Sequence, residues 1–251
     1  MKVSISWSAN TSPTPSGKIG ASAHITTNSL TSTRLSSSKA IFIQLSARRC
    51  TPFAKRPSPI QLLKDQFVSE LKSLPEVEKQ RAFADFNLRE WTDKGIELIP
   101  DLYTTLSEKF GKLGKDWHIL AAEEKLYEPI EEFTEAEKKF KGFIDLVVLS
   151  EKDKKIHLID WKTCSWGWKR EKKNDKTLAY QLVFYKHFYA KKYDVEPKDI
   201  DCHFVLLKRT AKPGKKVEFV RITAAKKRTE DAMKSLTTAL YNITKERYIK
   251  N

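Results

Sequence analysis

The chain reads as an α/β protein, a central mixed sheet flanked by helices, with a helical cap and a disordered leader at its N-terminal side. Three observations predict this. Two short apolar runs, 143–149 and 156–159, are separated by the charged turn 151–155, the pattern of neighbouring buried strands joined by a hairpin. Two further strand-like runs, 200–207 and 217–222, come later. Segments with apolar residues at three- and four-residue steps precede, divide and follow these runs. The order is helices, three strands, helix, two strands, helix, which makes a mixed α/β domain.

Residues 1–58 form the leader. Twenty of the first 60 residues are Ser or Thr, and residues 1–64 hold nine Lys or Arg and no acid. The whole chain of 251 residues carries a net charge of +15, so the other 187 residues, with 38 basic and 32 acidic side chains, stand at only +6. An Arg- and Ser-rich, acid-poor N-terminus has the composition of a mitochondrial or plastid transit peptide. The other reading is a disordered basic tail, since such a composition cannot bury a core. Three widely spaced cysteines, Cys50, Cys164 and Cys202, offer neither a zinc knuckle nor a four-cysteine cluster and fit a reducing compartment. No apolar run approaches the ~18 residues that span a bilayer, so no membrane partner is expected.

Residues 59–116 are the helical cap. Ile60, Leu62, Leu63, Phe67, Leu71 and Leu74 repeat at helical spacing up to Pro75, and 81–95 and 98–110 read as two further amphipathic segments. Their aromatics, Phe83, Phe86, Trp91, Tyr103 and Phe110, are assigned to packing. The Gly-Lys pairs at 111–112 and 114–115 lack the spacing of a phosphate-binding loop, which argues against a nucleotide cofactor. Residues 117–251 form the core. A strand lies within 117–130, a helix spans 177–193, and a final helix spans 228–248 with Met233, Leu236, Leu240 and Ile243 along one side.

Charge interrupts the two apolar runs where a plain core would not place it. Asp145 lies inside the first, and Asp160 and Lys162 close the second; being two apart, they point to one face of a strand. A buried carboxylate persists only with a cation or hydrogen-bonding partners. Two Asp converging from adjacent strands beside an ammonium meet that condition if they hold a divalent metal through oxygen ligands. The plainer reading is a buried Asp160–Lys162 ion pair with Asp145 exposed at a strand end. Glu123 and Glu124 are adjacent on the preceding strand, so only one of them faces the Asp pair.

These residues carry a family resemblance. Glu124, Gly142-Phe-Ile-Asp145, Asp160-Trp-Lys162 and Gln181-Leu-Val-Phe-Tyr185 follow one another as the strand Glu, G-x-x-D, D-x-K and Q-x-x-x-Y of the PD-(D/E)xK nuclease superfamily. The order resembles its RecB-like branch, which includes stand-alone phage nucleases and a mitochondrial exonuclease. The resemblance spans about residues 118–210. It implies a restriction-endonuclease-like core and a metal-dependent DNA nuclease, an exonuclease of replication, repair or recombination. It also implies Mg²⁺ or Mn²⁺ held by Glu124, Asp145, Asp160 and the Trp161 carbonyl. Lys162 would then steer the attacking water, and Gln181 and Tyr185, one helical turn apart, would touch the nucleic acid. A phage origin would place the protein in the host cytoplasm rather than an organelle. The branch often carries a His in a helix upstream of the Glu, and this chain has no match for it.

After the hairpin comes a basic loop with Trp166, Trp168, Lys169, Arg170, Lys172, Lys173 and Lys176. Aromatic faces among cations suit single-stranded DNA or DNA with free ends, through stacking and phosphate contacts. The plainer reading is solvated loop charge and packed indoles. A second basic loop, 208–216, is a further candidate for tracking a phosphate backbone. The competing function is a catalytically silent nucleic-acid-binding or assembly module on the same fold.

Overall fold

The computed structural model describes residues 4–6, 24–26, 59–73, 75–76 and 88–247. Most of the leader, with its expected targeting role, lies outside these residues, as do the aromatics at 83 and 86. Within them, Ser4–Ser6 and His24–Thr26 form a short antiparallel ribbon. Helix α1 runs Pro59–Ser73 and helix α2 Leu88–Phe110. The sheet has five strands in sequence order: β1 Trp117–Pro129, β2 Lys139–Ser150, β3 Lys155–Cys164, β4 Ile200–Lys208 and β5 Val217–Ile222. All neighbours are antiparallel except β3 and β4. A parallel pair needs a crossover. The short helix α3 (Arg170–Lys173) and the long helix α4 (Lys176–Tyr193) supply it, and α5 (Lys226–Thr244) closes the chain. No helix among the described residues is long and apolar enough to cross a membrane.

The two faces of the sheet are covered by different helices. Leu98, Leu102, Leu106 and Phe110 repeat every four residues along α2 and pack on Leu146, Val148, Ile159, Trp161, Val205 and Leu207. Leu182, Tyr185, Phe188 and Tyr189 of α4, with Met233, Leu236 and Leu240 of α5, cover Leu126, Ile144, Leu158, Phe204 and Leu206 on the other side. Strand β4, between β3 and β5, is therefore buried on both faces, and its near-continuous apolar run follows from that.

Two sequence expectations change. The expected break between 95 and 98 is absent, because α2 continues through Gly95 and Pro100. Pro100 is exposed, and its missing N–H removes one helical bond while the apolar seam holds the two halves in line. Helix α2 is thus one layer of the sheet's core as well as part of a cap. The second basic loop is tied down too. Asp101 of α2 accepts from the backbone N–H of Gly214 at 2.9 Å and of Lys216 at 2.8 Å, and Lys216 Nζ pairs with Glu97 at 2.9 Å. Lys216 is only 4% exposed and has no reach to a phosphate in solvent, whereas Lys212 and Lys215 of the same loop are exposed.

Candidate active site

The acidic residues sit where the sheet opens. The β2–β3 ladder pairs Leu146 with Ile159 and goes no further toward the open end. Asp145 and Asp160 occupy the next step of that register. Instead of a backbone rung, the Asp145 carboxylate reaches across and accepts the Trp161 N–H at 2.8 Å. Asp160 is 3% exposed and lies, with Lys162, on the face covered by α4. Trp161 points the opposite way into the α2 core, 2% exposed.

Helix α4 brings a polar hand to this opening. Asp175 caps its N-terminus by accepting from the backbone N–H of Thr177 and Leu178. That start puts Gln181 and Tyr185, four residues apart, over the end of β3. Gln181 Nε2 donates to Asp160 Oδ1 at 2.8 Å and to the Tyr185 hydroxyl at 3.1 Å. Its Oε1 accepts from Lys162 Nζ at 3.1 Å. The Lys162 ammonium lies 2.5 Å from Asp160 Oδ2 and over the Phe204 ring. That ion pair gives Asp160 Oδ2 its partner, as Gln181 does for Oδ1.

Gly142 is what lets α4 come this close. A Cβ at this position would stand 2.8 Å from the Tyr185 ring and 3.0 Å from that of Phe140. Gly142→Ala is expected to cost about 1–3 kcal/mol by overpacking. Urea unfolding would show it as a lower midpoint, and cleavage would fall with it as Gln181 is displaced.

Burial and like charge act together on the two carboxyls. Burial, then the Asp160 charge, pushes Asp145 well above the ordinary carboxylate range, while the Trp161 N–H and Lys162 pull the other way. Burial also raises Asp160, against Lys162. Tyr185 is raised by burial and then by Asp160, so its hydroxyl stays neutral. Two converging acids share one ammonium, which leaves a deficit of positive charge. That deficit fits a divalent cation, for which carboxylates are suitable ligands.

The structure brings together Asp145, Asp160, Lys162, Gln181 and Tyr185, but not Glu124. Glu124 Oε1 accepts from Lys192 Nζ and the Tyr193 hydroxyl, both at 2.6 Å, at the far end of α4. Residues 181 and 192 are about 16 Å apart along the helix axis at 1.5 Å per residue. The acid opposite Asp145 is Glu123, between the paired steps Ala122–Leu146 and Glu124–Ile144. Its charge acts on Asp145. Its backbone is left-handed, with φ 54°. That kink reverses the alternation of the strand: Ala121 and Leu126, five apart, both face the α4 core. The rule that neighbours alternate was sound, but a kink invisible in the sequence exchanged the two Glu.

The basic loop is also partly reassigned. Trp166 is 76% exposed, but Trp168 is 9% exposed and packs edge-on against Phe204 at 5.3 Å, with Lys172 over its ring. Lys173 Nζ is 2.5 Å from Glu218, a carboxylate it shares with Lys208 at 3.2 Å. Lys169 and Arg170 are exposed. Trp168 and Lys173 were expected to contact nucleic acid; packing and ion pairing occupy them instead.

A second group with metal-ligand chemistry lies on the α2 side of the sheet. His157, Asp201 and His203 place potential ligand atoms within 4.8 Å of one another. His157 Nδ1 and His203 Nε2 share a hydrogen bond at 3.0 Å, His157 Nε2 meets Asp153 at 3.2 Å, and Asp201 pairs with Arg221 at 2.9 Å. These donor atoms largely serve one another.

No curated protein matches the chain. The family model of the PD-(D/E)XK nuclease superfamily matches residues 45–249, spanning the α2 layer, the five strands and both flanking helices. A mixed sheet flanked by helices is what its restriction-endonuclease-like core requires. Nucleases of this superfamily generally use divalent metals, in keeping with the paired acids at the open end of β2 and β3. With most of its length matched and that site in place, the chain belongs to the PD-(D/E)XK nuclease superfamily.

Proposed function

We propose that the protein is a metal-dependent deoxyribonuclease that hydrolyses phosphodiester bonds from free or single-stranded ends, in the manner of the RecB-like branch. One observation carries the reading. Buried Asp160 and half-buried Asp145 meet at the rung where the ladder ends, with the Lys162 ammonium paired to Asp160. Asp145 and Asp160 would hold a Mg²⁺ or Mn²⁺ ion, with Glu123 and the Trp161 carbonyl as further oxygen ligands. A bound cation would supply Lewis-acid polarisation of the phosphate and a more acidic water.

The chain's own groups position the rest. Gln181, held by the Tyr185 hydroxyl and Asp160, accepts one Lys162 proton and so fixes the direction of the ammonium. From there Lys162 orients the attacking water and stabilises negative charge growing on the phosphoryl oxygens. Water adds to phosphorus and the bridging ester oxygen leaves.

The test is digestion of end-labelled DNA with free, blocked and circular ends, in Mg²⁺, Mn²⁺ or EDTA. Cleavage in either metal, none in EDTA, and protection of circles is the expected result. Binding without cleavage in every metal would instead identify a silent binding module. Glu123→Gln is expected to slow cleavage about tenfold to a hundredfold, the usual loss for a group that tunes a metal site. Glu124→Gln should keep the wild-type rate and lower stability through the lost Lys192 and Tyr193 contacts. The reverse pattern would return the assignment to Glu124.

A further inference from the structure

The exposed face of β1 and β2 beside the acids carries aromatic rings and lysines in alternation. Register sets Lys125 opposite Phe143, Tyr127 opposite Lys141, and Pro129 opposite Lys139. The opposite face is closed by α4 through Leu126, Phe140 and Ile144. Contacts of α2 with β2 begin only at Leu146. Tyr127 and Phe143 are consequently 44% and 43% exposed. The ammonium groups of Lys125 and Lys139 lie 5.5 Å and 5.4 Å from the centre of the Tyr127 ring. These two half-exposed rings leave apolar area in water that a bound flat group would cover.

We propose that this hairpin face is a stacking platform for a single-stranded segment of the DNA substrate, with bases on Tyr127 and Phe143 and phosphates on Lys125, Lys139 and Lys141. The proposal rests on the nuclease reading above and adds the path by which the strand arrives. Charge complementarity selects the occupant. The leader segment His24–Thr26 touches β2, but with no acid in the first 64 residues the leader offers these lysines no opposite charge. A polyanion is attracted, and the flat ring faces favour one with unpaired bases, because every base offers a π-face while a duplex hides it. Position sets the platform beside the opening: Phe143 is two residues before Asp145 in β2, on the face turned away from α4. Tyr127 lies outside the motifs that mark the site and Phe143 fills a variable position between Gly142 and Asp145, and the basic loop has lost Trp168 and Lys173 to packing and pairing.

The experiment uses the full-length protein carrying Asp160→Asn, so that binding is read without cleavage, in EDTA. Fluorescence anisotropy with a labelled oligothymidylate and with a blunt duplex of equal length gives the two affinities. Tyr127→Ala with Phe143→Ala is expected to weaken the single strand about tenfold or more, and the duplex much less. Tyr127→Leu with Phe143→Leu keeps apolar area without a ring and should lose as much. Tyr127→Trp with Phe143→Trp should restore binding. Lys139→Ala with Lys141→Ala should flatten the fall of affinity with salt, as expected when phosphate contacts are removed. Unchanged affinity in the ring variants, or equal losses for strand and duplex, overturns the proposal and assigns the face to the leader or a protein partner. The outcomes separate from those of the nuclease reading. A wild-type protein that binds the strand through these rings but never cuts would refute the reaction alone, and one that cuts with the rings dispensable would refute the platform alone.

Discussion

Asp145→Asn is expected to abolish cleavage and, without added cation, to make the protein more stable than wild type. The two effects share one cause. Asp145 sits in a buried opening facing Asp160, and both burial and that charge penalise its ionised form. Asparagine keeps an oxygen to accept the Trp161 N–H and leaves the Asp160–Lys162 pair in place. It therefore removes the repulsion without orphaning a buried donor, the condition under which a polar substitution is tolerated. The same change removes a cation ligand, so the rate should drop at least about a thousandfold, equivalent to about 4 kcal/mol of transition-state stabilisation.

Denaturant midpoints and cleavage rates measured in parallel give the answer. Addition of Mg²⁺ or Mn²⁺ should raise the midpoint of the wild type, because a ligand bound only by the native state stabilises it by mass action. The variant should respond weakly or not at all. Stability that falls in the variant, or a cation response equal to that of the wild type, would show that Asp145 is a structural carboxylate and that the cation binds elsewhere.

Much of this arrangement is legible in the sequence because it depends on local patterning. Runs of Val, Ile and Leu broken by a charged turn mark β2 and β3, and a two-residue spacing places Asp160 and Lys162 together on one face. Four-residue spacing does the same for Gln181 and Tyr185. What the sequence hides is where regularity ends. At the left-handed backbone of Glu123 the side-chain alternation reverses with the pairing register unchanged, so Glu124 meets Lys192 while Glu123 falls opposite Asp145. Burial of Trp168 and Lys216 is equally hidden, since both lie in loops whose partners, Phe204, Glu97 and Asp101, are distant in sequence. The exposure of Tyr127 and Phe143 follows from how far α2 reaches along the sheet, which no pattern within β1 or β2 records.

The second large effect is acid sensitivity, expected to originate at His203. The His203 imidazole is 1% exposed, and burial, then the nearby Lys109, His157 and Arg221, brings its pKa down from 6.5 to about 3, against a small opposing effect of Asp201. His157, bonded to it, is lowered too, chiefly by burial, although Asp153 and Asp201 raise it. In the unfolded chain His203 takes up its proton near 6.5; in the folded chain it does so only near 3. Between these values the unfolded state binds more protons, so stability is full above about pH 6.5 and declines as the pH falls toward about 3. One proton contributes at most about 1.4 kcal/mol per pH unit, so by two units below the unfolded pKa the loss reaches about 2–3 kcal/mol. His203→Gln separates this from general acid unfolding. The glutamine amide offers a donor and an acceptor near the position of Nε2, so it can keep the hydrogen bond with His157 Nδ1, and it does not titrate. Urea unfolding at several pH values should show a shallower acid limb for the variant, even if its stability at pH above 7 is somewhat lower. Equal slopes in the two proteins would mean that His203 is already protonated in the fold, and that Asp201 outweighs Lys109, Arg221 and the burial around it.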